Sequence, residues 1–194
     1  MTDFLSNFRS DPSMKLSVNL FQQKAQSHLR TLSLPNQKLE AWKYLSLKSL
    51  EKYKVLSPNN SISDDILTSA PCFVPNTIEL LFVNGILVNK PEYIQNISIK
   101  SFHEGYAENY LNLQKNIHFG NEFFTTLNQA YGNNGLILEI TGEVECPIHI
   151  INQNSNESGA CQPLIYIHAH EKSKCTILES NVSSRSDFCL LYTS

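Results

Sequence analysis

The sequence has 194 residues, enough for one large domain or two small ones with a sizeable core. Hydrophobic residues make up 41% and charged residues 17%, and the formal net charge is −3. We therefore expect neither nucleic acid nor an anionic membrane as a partner, because both require a concentrated basic surface. No apolar run reaches the roughly 18 residues of a membrane span, and the N-terminus lacks the apolar core of a secretory signal.

Cysteine spacing favours a reduced, cytoplasmic protein. The five cysteines are widely separated and form no CxxC pair: Cys72, Cys146, Cys161, Cys175 and Cys189. A disulfide framework or a structural zinc site would require paired spacings, so we interpret them as small buried hydrophobes.

The front of the chain is predicted to be helical. Apolar residues three or four positions apart predict an amphipathic helix over Lys15–Leu32, which Leu34-Pro35 ends. Similar spacing continues through Tyr53 and includes the single tryptophan, Trp42, which we interpret as a core anchor, with a binding role as the alternative. A short helix is predicted over Ser63–Leu67.

Strands follow, beginning with a hairpin. Two apolar runs in Thr77–Val88 flank Asn84-Gly85, the dipeptide that favours a tight hairpin turn. Another strand is predicted within Ile94–Ser101, followed by a helix over Gly105–Lys115. The segment Asn121–Tyr131 predicts a helix with one very apolar face, which Gly132 ends.

Short apolar runs between turn residues predict a series of strands over Gly135–Ser180, with a last run at Phe188–Tyr192. The residues leave open whether these strands form a sandwich, a barrel or a β-helix. We expect the apolar face of the helix over Asn121–Tyr131 to lie on the strands from Gly135 onward, where it would shield a sheet edge.

No complete catalytic or metal-binding set is recognisable. The pair His168 and His170 lies on one face of a strand and would bind zinc only with a third ligand, such as Cys175 or His149. Cys146 and His149 are too poorly supported for a nucleophilic pair, since nothing marks an orienting group.

Acidic residues also give no candidate. The paired acids Asp64-Asp65 and Glu143 with Glu145 are interpreted as caps and surface charges, and the Gly-rich phosphate-binding motifs are absent. We therefore predict no catalytic, cofactor-binding or metal-ligating residue.

Several motifs nevertheless resemble one family. Leu34–Leu50 is similar to the segment LP-x-x-K-x-E-x-W-K/R-Y-T-x-L near the N-terminus of SufD, a component of the SUF iron–sulfur cluster assembly system, although Leu45 replaces the usual Thr. Leu80–Val88 resembles that family's FVNG strand–turn–strand. Phe123–Asn152 and Pro163–Ser180 resemble the two segments that follow it, in family order.

The resemblance implies an α+β protein: a helical N-terminal region, residues 1–75, followed by the first coils of a right-handed parallel β-helix, residues 76–194, with a capping helix over 121–131. It covers only the N-terminal portion of the family, so a truncated chain is expected. The implied function is a non-catalytic scaffold subunit that works with SufB and the SufC-type ATPase.

The iron–sulfur cluster belongs to the full complex, and the family's cluster and partner contacts lie in parts that do not map onto this chain. His168, His170 and Cys175 fall outside the family's functional positions. The alternative from another class is an independent β-helix or β-sandwich module that binds a metal ion or a carbohydrate, with the His168/His170 pair as its supporting feature.

Overall fold

The computed structural model describes residues 16–47, 74–102, 104, 122–132, 134–154 and 162–183. Within these ranges the chain combines helices and strands, as expected. In chain order the elements are α1 (Leu16–Leu29), a 3₁₀-helix (Glu40–Trp42), β1 (Ile78–Val83), β2 (Ile86–Asn89), β3 (Ile97–Ser101), α2 (Phe123–Tyr131), β4 (Asn134–Ile140), β5 (Ile148–Asn154), β6 (Pro163–Ala169) and β7 (Ile177–Ser183). The helices predicted over Ser63–Leu67 and Gly105–Lys115, and the apolar run Phe188–Tyr192, lie outside the described residues.

The strands form two mixed sheets, one in the order β2-β1-β5-β7 and the other in the order β3-β4-β6. β4 pairs with β6 in parallel, and β5 pairs with β7 in parallel. Both pairs join residues that are 29 positions apart, such as Asn134 with Pro163 and Ile148 with Ile177. The unit β4–corner–β5 is therefore stacked on the unit β6–corner–β7, and each unit is called a coil below.

Backbone hydrogen bonds also join the two corners. The amide of Val144 donates to the carbonyl of Lys174 at 2.8 Å, and the amide of His170 donates to the carbonyl of Ile140 at 2.8 Å. Because the corners are bonded as well as the strands, the second coil follows the path of the first through its turn.

The hairpin predicted at Asn84-Gly85 is confirmed. β1 and β2 pair antiparallel on either side of the turn, with Val83 opposite Ile86. Both turn residues have positive φ angles, 50° for Asn84 and 81° for Gly85. Asparagine and glycine tolerate this conformation better than other residues, which is why the dipeptide locates the turn so reliably.

The main core lies between the two sheets. Alternate side chains from facing strands fill it, as strand geometry requires. Its buried members are Leu80, Phe82, Leu136, Leu138, Ile140, Val144, Ile148 and Ile150. Full burial of such a side chain contributes about 1.5–3 kcal/mol, so this cluster is a principal source of stability for the sheets.

A second core joins α1 to α2, and these two helices are called the helical pair below. Its buried members are Ala25, Leu29, Leu47, Phe123, Phe124, Leu127 and Ala130. The expectation that α2 lies chiefly on the strands is therefore wrong. The inward faces of β1, β4 and β5 already cover one another, whereas the apolar stripe of α1 is available to α2. A side-chain bond from Asn128 Nδ2 to the carbonyl of Pro163, at 3.3 Å, links α2 to β6.

The helical spacing predicted after Leu34 produces only the 3₁₀-helix within the described residues. Asn36 explains part of this, because its side chain accepts a bond from the amide of Lys38 at 3.0 Å and so stabilises a turn. The indole ring of Trp42 lies 5.4 Å from the ring of Phe124. Trp42 therefore packs against the helical core, as the core-anchor interpretation expects, but its side chain is only partly buried.

The start of α2 differs from the sequence expectation, whereas its predicted end at Gly132 is confirmed. Its N-cap is Glu122, and no side chain caps it. Gly132 ends the helix in an extended conformation, with φ −62° and ψ 114°, and donates its amide to the carbonyl of Asn128. A Cβ at Gly132 would lie 2.6 Å from that carbonyl oxygen, so the close approach favours glycine here.

Candidate functional site

The histidine pair at the end of β6 is the clearest cluster of ligand-type side chains. β6 ends at Ala169, and the amide bond from His170 to Ile140 extends the ladder by one residue. The imidazole rings of His168 and His170 are stacked, with centroids 4.4 Å apart and planes inclined by 29°. Both residues are exposed. The expected placement of the pair on one face, next to a turn, is confirmed.

The proposed third ligands do not join this pair. His149 is fully buried in β5, which belongs to the other sheet, and Cys175 packs against the core between the sheets. Among the described residues, no group of three histidine, cysteine or acidic side chains is arranged to hold a metal ion. Glu139 is the nearest acid by register, since it lies opposite His168 on β4.

His149 has a structural partner that the sequence did not reveal. Its Nε2 atom lies 2.9 Å from the hydroxyl of Ser180 on the next coil, and its Nδ1 atom is buried with no hydrogen-bond partner. Cys146 is exposed at the corner, so the structure does not assemble a Cys–His pair. Full burial of the imidazole also keeps a substrate from reaching it. The 29-residue spacing of the coils could have suggested this contact. Ser180 pairs in register with Ile151, which lies two residues after His149 and therefore on the same face of β5.

The acids near the corner are surface charges, as interpreted. Glu143 and Lys174 form an exposed ion pair, with Oε1 and Nζ 3.2 Å apart. Glu145 is exposed on the same corner. Asp64 and Asp65 lie outside the described residues.

A shallow groove of about 460 Å³ lies beside the start of β1. Apolar and amide-bearing residues form most of the part of its wall that the structure describes, and Glu79 is the one titratable residue in that part. The described wall therefore shows no pair of ionisable side chains.

The second coil presents an uncovered inner face. Ile167 and Ile177 are each 37% exposed, whereas their register partners on the first coil, Leu138 and Ile148, are at most 1% exposed. β6 and β7 are also the outer strands of their sheets in the described part of the chain. This face was not anticipated, because it depends on which strands are stacked rather than on any local motif.

Asparagine side chains connect the two coils near this face. Asn152 Nδ2 donates to Asn181 Oδ1 and to Glu179 Oε1, both at 3.1 Å. Asn152 and Asn181 are register partners, so the contact is a ladder of like side chains along the stacking direction. Such a ladder fixes the register of one coil on the next.

No protein-family model matches the sequence, and no curated protein matches it significantly. Within the described residues, no helix has the length and apolar character needed to cross a membrane.

Proposed function

We propose that this chain is SufD-like and serves as a non-catalytic scaffold subunit of the SUF iron–sulfur assembly system. It corresponds to the N-terminal portion of that family: a helical region over residues 1–75 and the first coils of a right-handed parallel β-helix over residues 76–194. SufB and the SufC-type ATPase are the proposed partners, and the cytoplasm is the proposed compartment.

The observation that carries the proposal is the stacking of the two coils. A parallel β-helix repeats the same offset between paired strands on each of its faces. Here β4 with β6 and β5 with β7 share one offset of 29 residues, and the corners between them are hydrogen-bonded. These pairings support a β-helix over a sandwich, whose strands pair antiparallel.

The positions of the resembling motifs give independent support. The FVNG-like motif forms the hairpin turn at Asn84-Gly85. Trp42, in the motif near the N-terminus, contacts Phe124, which belongs to a different motif. The motif that contains Trp42 and the motif that contains Phe124 are far apart in sequence but pack in one core. This packing is expected if both motifs belong to a single fold and not if they are separate chance matches.

A scaffold role also suits the distribution of polar groups. The buried imidazole of His149 is engaged with Ser180, and Glu143 is paired with Lys174. These side chains hold one coil against the next. The apolar inner face around Ile167 and Ile177, each 37% exposed, suits contact with further structure rather than with a small substrate.

The test is recovery of the native complex. The protein is tagged at its N-terminus at its own chromosomal locus, purified without crosslinking, and its partners are identified by mass spectrometry. We expect a SufB-type protein and a SufC-type ATPase to be recovered in stoichiometric amounts. Iron and acid-labile sulfide are measured in the same eluate.

The control is an equally expressed tagged protein of unrelated fold. Recovery of neither partner, from a bait whose circular dichroism shows that it is folded, would contradict the scaffold assignment. Recovery of an unrelated enzyme in stoichiometric amounts would replace it with an accessory role in that enzyme's complex.

A further inference from the structure

We propose that His168 and His170 form a two-histidine chelate site on the outer face of the β3-β4-β6 sheet for a late first-row divalent metal ion. This inference does not depend on the scaffold function. It rests on the geometry of the pair, on the fixed backbone that carries it and on the chemistry of imidazole.

The geometry suits bidentate binding. Two imidazole nitrogens that share one ion each lie about 2.0–2.1 Å from it, so both nitrogens must point at a common position. The rings of His168 and His170 are neighbours, stacked with centroids 4.4 Å apart, and both are exposed, so rotation about their side-chain torsions can turn one nitrogen of each toward a shared ion. Side chains two positions apart on a strand point to the same face of the sheet. A single extended segment therefore places both imidazoles next to each other.

The backbone beneath the pair is fixed. Glu139 and Ile140 on β4 pair with His168 and Ala169, and the amide of His170 donates to Ile140 at 2.8 Å. The hydroxyl and amide of Ser173 both bond to the carbonyl of His170, at 2.7 and 3.0 Å, which holds the following turn. A metal ion therefore encounters ligands whose main chain is already ordered, and the entropic cost of binding is reduced.

The ligand set determines the class of ion. Neutral imidazole suits nickel, copper and zinc, whereas magnesium and calcium prefer oxygen. Both rings are exposed, so water can fill the remaining coordination positions. Glu139 lies opposite His168 and adds negative charge beside the pair. The absence of a third side-chain ligand among the described residues indicates an exchangeable ion rather than a structural one.

The test uses Ni²⁺ as the probe, because it binds imidazole and does not oxidise the thiols of this chain. The purified full chain is titrated with NiCl₂ by calorimetry, and histidine proton signals are followed by NMR. We expect one ion per chain at the tightest site and paramagnetic broadening of two histidine signals. His168→Gln or His170→Gln should weaken that site by about tenfold or more, because each change removes a direct ligand and loss of an outer-shell partner alone typically costs about 10–100-fold.

A matched control keeps the number of histidines constant. The double change Ala169→His with His170→Ala places the second imidazole on the opposite face of the strand, and should bind as weakly as His168→Gln. His28→Gln, on α1, should bind as the unchanged protein does. Glu139→Gln should weaken binding less than either single histidine change.

Two outcomes would overturn the proposal. One is equal Ni²⁺ affinity in the unchanged protein and in both single histidine variants. The other is full affinity in the relocated variant, which would show that histidine content rather than geometry determines binding. Circular dichroism of each exposed-site variant establishes that a loss of binding is not a loss of fold.

Discussion

The helical pair and the stacked strands of this protein are stabilised by different kinds of long-range contact. Between α1 and α2, side chains make the connections: seven buried apolar residues form the cluster, and two glutamines of α1 donate to the backbone carbonyls of Ala130 in α2 and of Gly132 directly after it. Between the coils, backbone ladders with a constant 29-residue offset make most of the connections. Side chains then fill the space that the ladders define.

This difference predicts different sensitivities. Removing side-chain volume should lower the stability of the helical pair most, because no backbone hydrogen bond joins its two helices among the described contacts. Adding a side chain where two backbones are in close contact should lower the stability of the coil stack most. Substitutions of each type, followed by amide exchange in both regions, can confirm or refute the distinction.

The largest effect is expected from Phe124→Ala. Phe124 is 7% exposed and its ring lies 5.4 Å from the rings of both Trp42 and Phe123. Truncation of a buried phenylalanine typically costs about 3–5 kcal/mol of unfolding free energy. Urea unfolding should show a loss in that range. Amides of α1 and α2 should lose protection before those of β5 and β7.

Phe124→Leu is the control, since it keeps most of the volume and should cost much less. If both regions lost protection equally in Phe124→Ala, the helical pair and the coil stack would be one cooperative unit, and the comparison above would be wrong.

The next effect is expected from Gly135→Ala in β4. A Cβ at this position would overlap the carbonyl oxygen of Leu164, its register partner on β6. That contact can be relieved only by separating the two strands. We expect a loss of about 3 kcal/mol or more, at the upper end of the range for overpacking, with exchange increased first in β4 and β6.

Gly142→Ala is the matched control. Its Cβ would meet the side chain of Asn96 at 2.9 Å, and a side chain can move more easily than a paired backbone. An equal loss of stability in the two glycine variants would show that side-chain crowding, rather than strand separation, determines the cost.

Local turn and helix signals account for what the sequence predicted well. Asn84-Gly85 located the hairpin because few residues tolerate positive φ angles, and the adjacent Phe123 and Phe124 marked the buried face of α2. His168 and His170 were correctly placed on one face because strand geometry has a strict period of two. Each of these features depends on a few neighbouring residues.

Features that depend on the third dimension were not predicted. The apolar face of α2 required a partner, but nothing in its sequence specified α1 rather than the strands. The coil offset was present in the sequence as a weak signal, since Asn181 follows Asn152 at the same distance as their strands are paired. The bond between His149 and Ser180 follows only once that offset is known.

An intermediate effect is expected from Gln22→Leu in α1. Gln22 is 1% exposed, and its Nε2 atom donates to the carbonyl of Gly132 at 2.9 Å. Leucine would leave that carbonyl without this donor while keeping the volume. A buried acceptor without a partner costs about 1–3 kcal/mol, but the change also removes the unpartnered Gln22 Oε1 atom, so we expect about 1 kcal/mol in urea unfolding.

Gln26→Leu provides the comparison within the same helix. Its Nε2 atom donates to the carbonyl of Ala130 at 3.1 Å from a partly buried position, where water can replace it. A smaller loss than for Gln22→Leu is therefore expected. The reverse order would show that burial does not determine the strength of these two contacts.

The smallest effect is expected on the free energy of unfolding at alkaline pH, and it comes from Tyr131 at the end of α2 in the helical pair. Burial raises the pKa of Tyr131 above its usual value, and Arg30 opposes this by favouring the phenolate. Because the folded-state pKa is the higher one, the contribution of Tyr131 is fully present below about pH 10 and is lost as the pH rises through the folded-state value. Unfolding free energy should therefore fall above about pH 10, and less steeply in Tyr131→Phe.

The measurement is the difference between the curves of unfolding free energy against pH for the unchanged protein and for Tyr131→Phe, because other tyrosines and lysines titrate in the same range. Parallel curves would show that the phenol of Tyr131 is as well solvated in the folded protein as in the unfolded chain.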